Sequence, residues 1–193
     1  MFTSLSRSKT LTLAALCGAS LLGACASGAR PEMMTATADA VPPAAAADAA
    51  YKAVRVTSVE GGSETNPLWM SGVSTKDFRA ALESSLKATN HLADAAGSAR
   101  YNVTANLLNI DRPMMGLNLT TTTSVNYKVT GAADNAVVYE ETIKAEGTAK
   151  MSDSLIAVER LRKANEASVR NSIQQFIQNF RQRLGAQQQA AVQ

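Results

Sequence analysis

Across its 193 residues the chain has two cysteines, one histidine, one tryptophan and five prolines, and aromatic residues make up only 5% of it. Each scarcity removes a class of chemistry. One histidine without clustered carboxylates falls short of the three or four ligands that a zinc or calcium centre takes, so no metal is expected. His91 has Asp94 nearby, as a catalytic base has its orienting acid, but it follows a helix end, where a solvated polar role is expected. Gly61-Gly62 lacks the later Gly, Lys and Ser or Thr of a phosphate-cradling loop. No catalytic constellation forms, and the chain reads as a non-enzyme without cofactors. Acids are absent from residues 1 to 24, which hold Arg7 and Lys9; without that stretch the formal net charge falls from +3 to +1. A near-neutral remainder argues against a nucleic-acid binder, which concentrates basic charge. Long apolar runs are missing too. The stretch from Leu11 to Leu22 is broken by Thr12, Gly18 and Ser20, and a spanning helix wants about 20 apolar residues, so a signal peptide over 1–24 is the better reading.

What is present begins with Leu21-Leu22-Gly23-Ala24-Cys25. This segment resembles the lipobox of bacterial lipoproteins, in which small residues precede a cysteine that is acylated and becomes the mature N-terminus. By that resemblance Cys25 is the lipidation site. Cys17 leaves with the leader, and no thiol or disulfide chemistry remains. Lipoproteins of this type carry three acyl chains, and at about 0.8 kcal/mol per buried methylene such an anchor is effectively permanent. Ala26 follows the cysteine in place of the Asp that retains enteric-type lipoproteins in the inner membrane. The resemblance therefore implies a lipid anchor in the outer membrane, with the chain facing the periplasm.

Residues 26–50 are dominated by Ala, Thr, Asp and Pro and show no hydrophobic period beyond Met33, Met34 and Val41. With Cys25 they read as a flexible tether over 25–50, whose random-coil span would be roughly 25 to 30 Å. Pro42-Pro43 followed by Ala44 to Ala47 has the makings of a short helix.

A globular domain is expected over 51–185. Val54 and Val56 alternate with Ala53, Arg55 and Thr57 as in a half-buried strand, and Gly61-Gly62 ends it. Ser74 and Asp77 form a capping-box-like start to a helix with Phe78, Leu82 and Leu86, and Ala81, Ser85 and Thr89, on one stripe, stopped by Asn90. Tyr101, Val103, Ala105 and Leu107 make a strand whose parity slips at Leu108 and Ile110, which predicts a bulge near Leu107. The clearest alternation follows, with Leu117, Leu119, Thr121, Thr123, Val125, Tyr127 and Val129 on one face of a long strand with one wet side. Gly131 to Asn135 supply turn residues, and Val137, Tyr139, Ile143 and Ala145 mark the returning strand, with Glu141 on the apolar parity. A long helix carries Val158, Leu161, Asn165, Val169, Ile173, Phe176, Phe180 and Leu184 at steps of three and four. Glu159 with Lys163 and Glu166 with Arg170 form i,i+4 pairs along it, Gly185 is its expected cap, and 186–193 a disordered tail. The order β-α-β-β-β-α, with wet strand faces and striped helices, predicts a two-layer α+β domain: a four-stranded, mainly antiparallel sheet with two helices on one face.

Gly61-Gly62 with Glu64-Thr65-Asn66-Pro67-Leu68-Trp69, and Glu159-Arg160-Leu161-Arg162 with Ala164-Asn165-Glu166, resemble a family of small uncharacterised Gram-negative outer-membrane lipoproteins over most of 51–184. The element order is also similar to that of soluble domains of penicillin-binding-protein activators, auxiliary lipoproteins of lipid-exporting ABC transporters, and the N-terminal domain of the Tol propeller protein. The family brings no catalytic or binding residues to carry over.

Two patches stand above background. Leu68, Trp69 and Met70 are large apolar residues in a connection, a candidate partner contact or a cover folded over the core. Arg160, Arg162 and Lys163, with Arg170, Arg181 and Arg183, give the last helix a basic face for anionic headgroups, peptidoglycan or a protein, unless it is simply solvated. The leading expectation is a non-catalytic lipoprotein that supports an envelope assembly through protein contacts. The alternative is a lipid- or small-ligand-binding auxiliary of an envelope transporter, which would hold an apolar pocket between helices and sheet.

Overall fold

The computed structural model describes residues 27–63, 71–95, 99–112 and 116–191. In chain order the elements are α1 (Pro31–Met34), β1 (Val54–Gly61), α2 (Thr75–Ala88), β2 (Tyr101–Asp111), β3 (Leu119–Gly131), β4 (Val137–Ala149), a 3-10 turn (Met151–Asp153) and α3 (Ala157–Ala191). One four-stranded sheet runs β1-β2-β3-β4. β2, β3 and β4 are antiparallel neighbours, whereas β1 pairs β2 in parallel. The sheet is thus mixed, because α2 carries the chain back to the end at which β1 began, as a parallel pair requires.

Local chemistry sets the element ends. Ser74 Oγ accepts the Asp77 backbone N–H at 3.1 Å and donates to the Asp77 carboxylate at 2.7 Å, which starts α2. Asn90, at φ 57°, turns the chain out of it. In β2 the register shifts between Leu107 and Asn109, the bulge that the parity slip foretold, and Leu108 is exposed. A second irregularity lies in β1 between Val56 and Ser58, where Arg79 donates to the Val56 and Thr57 carbonyls at 3.4 and 3.2 Å.

The layer between sheet and helices is filled. Phe78, Leu82, Leu86, Tyr127, Ile173, Phe176, Ile177 and Phe180 are all fully buried. Tyr127 and Phe176 stack with centroids 4.4 Å apart and planes 4° from parallel, and Phe180 meets Tyr101 edge-on at 5.6 Å. Toward the start of β3 many of the buried groups are small, Thr121, Thr123, Ala145, Ala149, Ala164 and Ser168, with Leu119 beside them. There α3 rests directly on β4, for a Cβ added at Gly147 would lie 2.2 Å from the Ser168 nitrogen.

Two sequence expectations are corrected. Residues 27–50 lie against the domain, with Ala29, Met34, Ala36, Val41, Ala44 and Ala50 buried, and do not form a free tether. Their apolar residues are too few and irregular to show a period, yet the buried ones fill places that α2 and α3 leave open. At the other end α3 passes through Gly185 to Ala191, where a cap and frayed tail were expected. Gly185 has nothing within 4 Å of its would-be Cβ, and the Ala and Gln residues beyond it are good enough helix formers to absorb its cost of about 1 kcal/mol.

Candidate interaction surfaces

Residues 27–50 form a strap along the groove between α2 and α3, and the side chains that hold it come largely from one ridge of α3. Arg162 donates to Ser27 Oγ. Glu166, at 2% side-chain exposure, accepts the Arg30 backbone N–H at 3.0 Å and its Nε at 3.1 Å. Arg170 donates to the Met33 carbonyl at 2.7 Å, Gln178 to that of Ala40 at 3.3 Å and Arg181 to that of Pro42 at 2.7 Å. Arg181 also pairs with Asp48 at 3.0 Å. Positions 162 to 181 cover about 28 Å of helix at 1.5 Å per residue, so the strap runs most of the length of the domain. On its other side α2 contributes Ser85 Oγ, which accepts the Ala36 N–H at 2.8 Å, and the Thr89 carbonyl, which accepts the Ala44 N–H at 2.9 Å. The Arg30 guanidinium is held charged above its ordinary value, chiefly by its hydrogen bond to Glu166.

This arrangement reassigns much of the basic face. Arg160 is buried and donates to the Ser154 carbonyl at 2.8 Å. Arg162, at 15% side-chain exposure, pairs with Glu159 at 3.4 Å, and Lys163 donates to the Asp153 carbonyl. The expected pairs of Glu159 with Lys163 and Glu166 with Arg170 give way to these partners. Arg160, Arg162 and Lys163 therefore serve the start of α3 and the strap, while Arg183 stands exposed further along the helix. Leu68, Trp69 and Met70 lie outside the described residues, as do Cys25 and the leader.

His91 differs from its expected solvated role. It is fully buried where the strap passes into β1, its Nδ1 2.8 Å from Thr89 Oγ1, while Nε2 has no hydrogen-bond partner. Burial, with Arg181 nearby, pushes its pKa down to about 4. Asp94 does not orient it, for that carboxylate accepts Lys52 at 2.8 Å. No group of three or more His, Cys, Asp or Glu placed to hold a metal occurs among the described residues.

Two further surfaces remain. The sheet face away from the helices carries Asn102, Thr104, Asn126 and Thr142, with Asn126 donating to Thr142 Oγ1 at 3.2 Å. At the end where β3 starts and β4 finishes, large apolar side chains stand in solvent: Leu117 at 70% exposure, Met151 at 44%, Leu155 at 81% and Ile156 at 54%. Their positions are fixed through the chain, since Met151 N–H donates to Asn118 Oδ1 at 3.3 Å and Ser154 Oγ to Glu159 at 2.8 Å. A cleft of about 140 Å³ lined by Gly62, Ser63, Leu107 and Ile110 lies toward the same end. The sequence named neither the strap groove nor this end; the spacing of Leu155 and Ile156 just before an amphipathic helix was the signal available for the second.

No family model matches the chain, and no curated protein matches it. Among solved structures, a Xanthomonas campestris protein of the family DUF330 is similar at 12% identity and TM-score 0.58, covering 86% of this chain and 98% of its own. A minor lipoprotein of Acinetobacter baumannii shares 14% identity at TM-score 0.38, over 72% of this chain and 93% of that one. A dodecameric PelC of Paraburkholderia phytofirmans shares 16% identity at TM-score 0.37, over 63% and 89%. At these identities the Xanthomonas likeness shows a shared fold: a four-stranded mixed sheet backed by helices, the α+β architecture that the element order predicted.

Proposed function

We propose that the chain is a non-catalytic lipoprotein, held in the outer membrane through Cys25, that supports an envelope assembly through protein contacts. The observation that carries this reading is the lipobox-like segment ending at Cys25, two residues before a strap already bound to the domain at Ser27. Among the described residues no helix is long and apolar enough to cross a membrane. The filled layer between helices and sheet weighs against the transporter-auxiliary alternative, which calls for an apolar pocket there. Native mass spectrometry after gentle extraction tests that alternative directly, since a bound lipid would favour it.

Replacing Cys25 with Ser should abolish firm membrane association, read by fractionation after high-salt washing. A variant that still sediments with the outer membrane would remove the lipid anchor from this reading. Crosslinking in intact cells, followed by identification of the captured chain, tests the assembly role.

A further inference from the structure

Ser27, two residues after Cys25 in the sequence, is bound near the start of α3, the end at which large apolar side chains are exposed, and from this juxtaposition we infer that Leu117, Met151, Leu155 and Ile156 seat the domain on the bilayer surface that holds the anchor. The inference rests on the lipid-anchor reading and goes beyond it, for an anchor alone sets no orientation.

Reach decides the geometry. Two residues span at most about 7 Å, so an acylated Cys25 keeps Ser27 within that distance of the headgroup layer. Ser27 is not free to swing. Its hydroxyl accepts Arg162, its carbonyl accepts Ser71 Oγ at 2.9 Å, and two residues on the Ala29 N–H donates to the Gly72 carbonyl at 3.0 Å. Asn165 ties that same segment to α3 by donating to the Ser71 carbonyl at 2.9 Å. From Ser27 a continuous set of contacts leads to the apolar end: Arg162 to Glu159, Glu159 to Ser154, and Ser154 directly to Leu155 and Ile156. A domain on a flexible tether would present any side to the membrane. This one, strapped along α3, brings the start of α3 against it.

The side chains fit that setting. Four large apolar groups in two adjoining connections, exposed by between 44% and 81%, are more than the scattered single residues of an ordinary surface. Lys150 is exposed next to Met151 in the chain, and a lysine with apolar neighbours suits the boundary between headgroups and acyl chains. A protein partner could also cover such a patch, but it would have to share the few ångströms that the two-residue link leaves between domain and bilayer.

The test uses the full chain, extracted from membranes and reconstituted into vesicles of phosphatidylethanolamine and phosphatidylglycerol with bromines on shallow acyl carbons. A polarity-sensitive dye is placed at Leu155→Cys and, as a control in the β3–β4 turn at the other end, at Ala133→Cys. Mass spectrometry of the N-terminal peptide reports acylation of Cys25 separately. Acylation with a blue-shifted emission and several-fold greater quenching at 155 than at 133 supports the inference. Acylation with equal, water-like emission at both positions overturns the seating and leaves the anchor. An unmodified Cys25 removes the anchor reading and this inference with it. Protection of position 155 in intact envelopes but not in vesicles overturns the bilayer in favour of a protein occupant.

Discussion

The two ends of the sheet are closed in opposite ways. Where β1, β2 and β3 meet at Val54, Tyr101 and Gly131, the core is aromatic, with Tyr101, Tyr127, Tyr139, Phe176 and Phe180 in mutual contact, and the β3–β4 turn outside is short, small and polar. Val137 is the one large exposed apolar residue there among those described. Where β3 starts and β4 finishes, Leu107 and Leu119 are buried beside small groups, Thr121, Thr123, Gly147, Ala164 and Ser168, and four bulky apolar groups stand outside the core. A domain shaped only by its own stability would exchange the two, placing Leu155 and Ile156 inward and small polar groups outward. The aromatic end therefore reads as the source of stability and the small-residue end as the site of contact, a division that point substitutions can break.

The largest effect is expected at the aromatic end. Phe180→Ala removes a fully buried ring that touches Tyr101, Tyr139 and Phe176. Such truncations cost about 3 to 5 kcal/mol, a large share of a small domain's stability, and the thermal midpoint should fall by many degrees. A small shift would mean that this end is not where the stability lies. Arg162→Ala, which the sequence alone would treat as a neutral surface change, should now also lower the midpoint, though less, because it frees Ser27 and Glu159.

Next comes Gly147→Ala, aimed at the close approach of α3 to β4. Its methyl would lie 2.2 Å from the Ser168 nitrogen and 2.4 Å from the Ala164 carbonyl oxygen, both backbone atoms that cannot turn aside. Forcing the helix outward should cost about 3 kcal/mol, measurable by denaturant titration. An unchanged midpoint would show that the small-residue end is loosely packed.

His91 supplies a pH-dependent term at the aromatic end. Its native pKa of about 4 lies below the ordinary histidine value, so the unfolded chain binds the proton more readily. The neutral ring's contribution is fully present above pH 6.5 or so and is lost as pH falls toward 4. At pH 5 the loss relative to neutrality should be about 2 kcal/mol, and His91→Gln should flatten the pH profile of the melting midpoint over that window. A profile identical in both proteins would mean that the strap opens and hydrates the ring without unfolding.

Much of this architecture was legible in the residues, and what was not has a common physical cause. Period-two alternation located the antiparallel strands, Ser74 with Asp77 marked the start of α2, and the misplaced Leu108 announced the bulge. Each of those signals is local. The strap is invisible to the same reading because its buried residues, Ala29, Met34, Ala36, Val41 and Ala44, follow the spacing of the groove and not of any period of their own. Its backbone is satisfied by Arg170, Gln178 and Arg181 from more than a hundred residues away. The same arginines looked like a solvated or partner-binding face until the carbonyls they serve were in place. His91 was misplaced for a related reason: the residue ends a helix, as expected, but the chain that covers it comes from the strap.

The smallest expected effect is the sharpest test of the comparison. Leu155 is 81% exposed, and the neighbouring Ile156 N–H is satisfied by Ser154 Oγ at 3.1 Å, so the side chain at 155 supports no hydrogen bond and fills no part of the core. Leu155→Ser should leave the unfolding free energy of the purified protein within about 0.5 kcal/mol of the parent, as surface changes away from packed features do. The same substitution should reduce the area available for outside contact at the start of α3 and so lower the tendency of detergent-free protein to self-associate, read by light scattering. A marked loss of stability would return Leu155 to the core and dissolve the contrast between the two ends, whereas unchanged stability with reduced self-association would show that this end carries apolar surface for something other than folding.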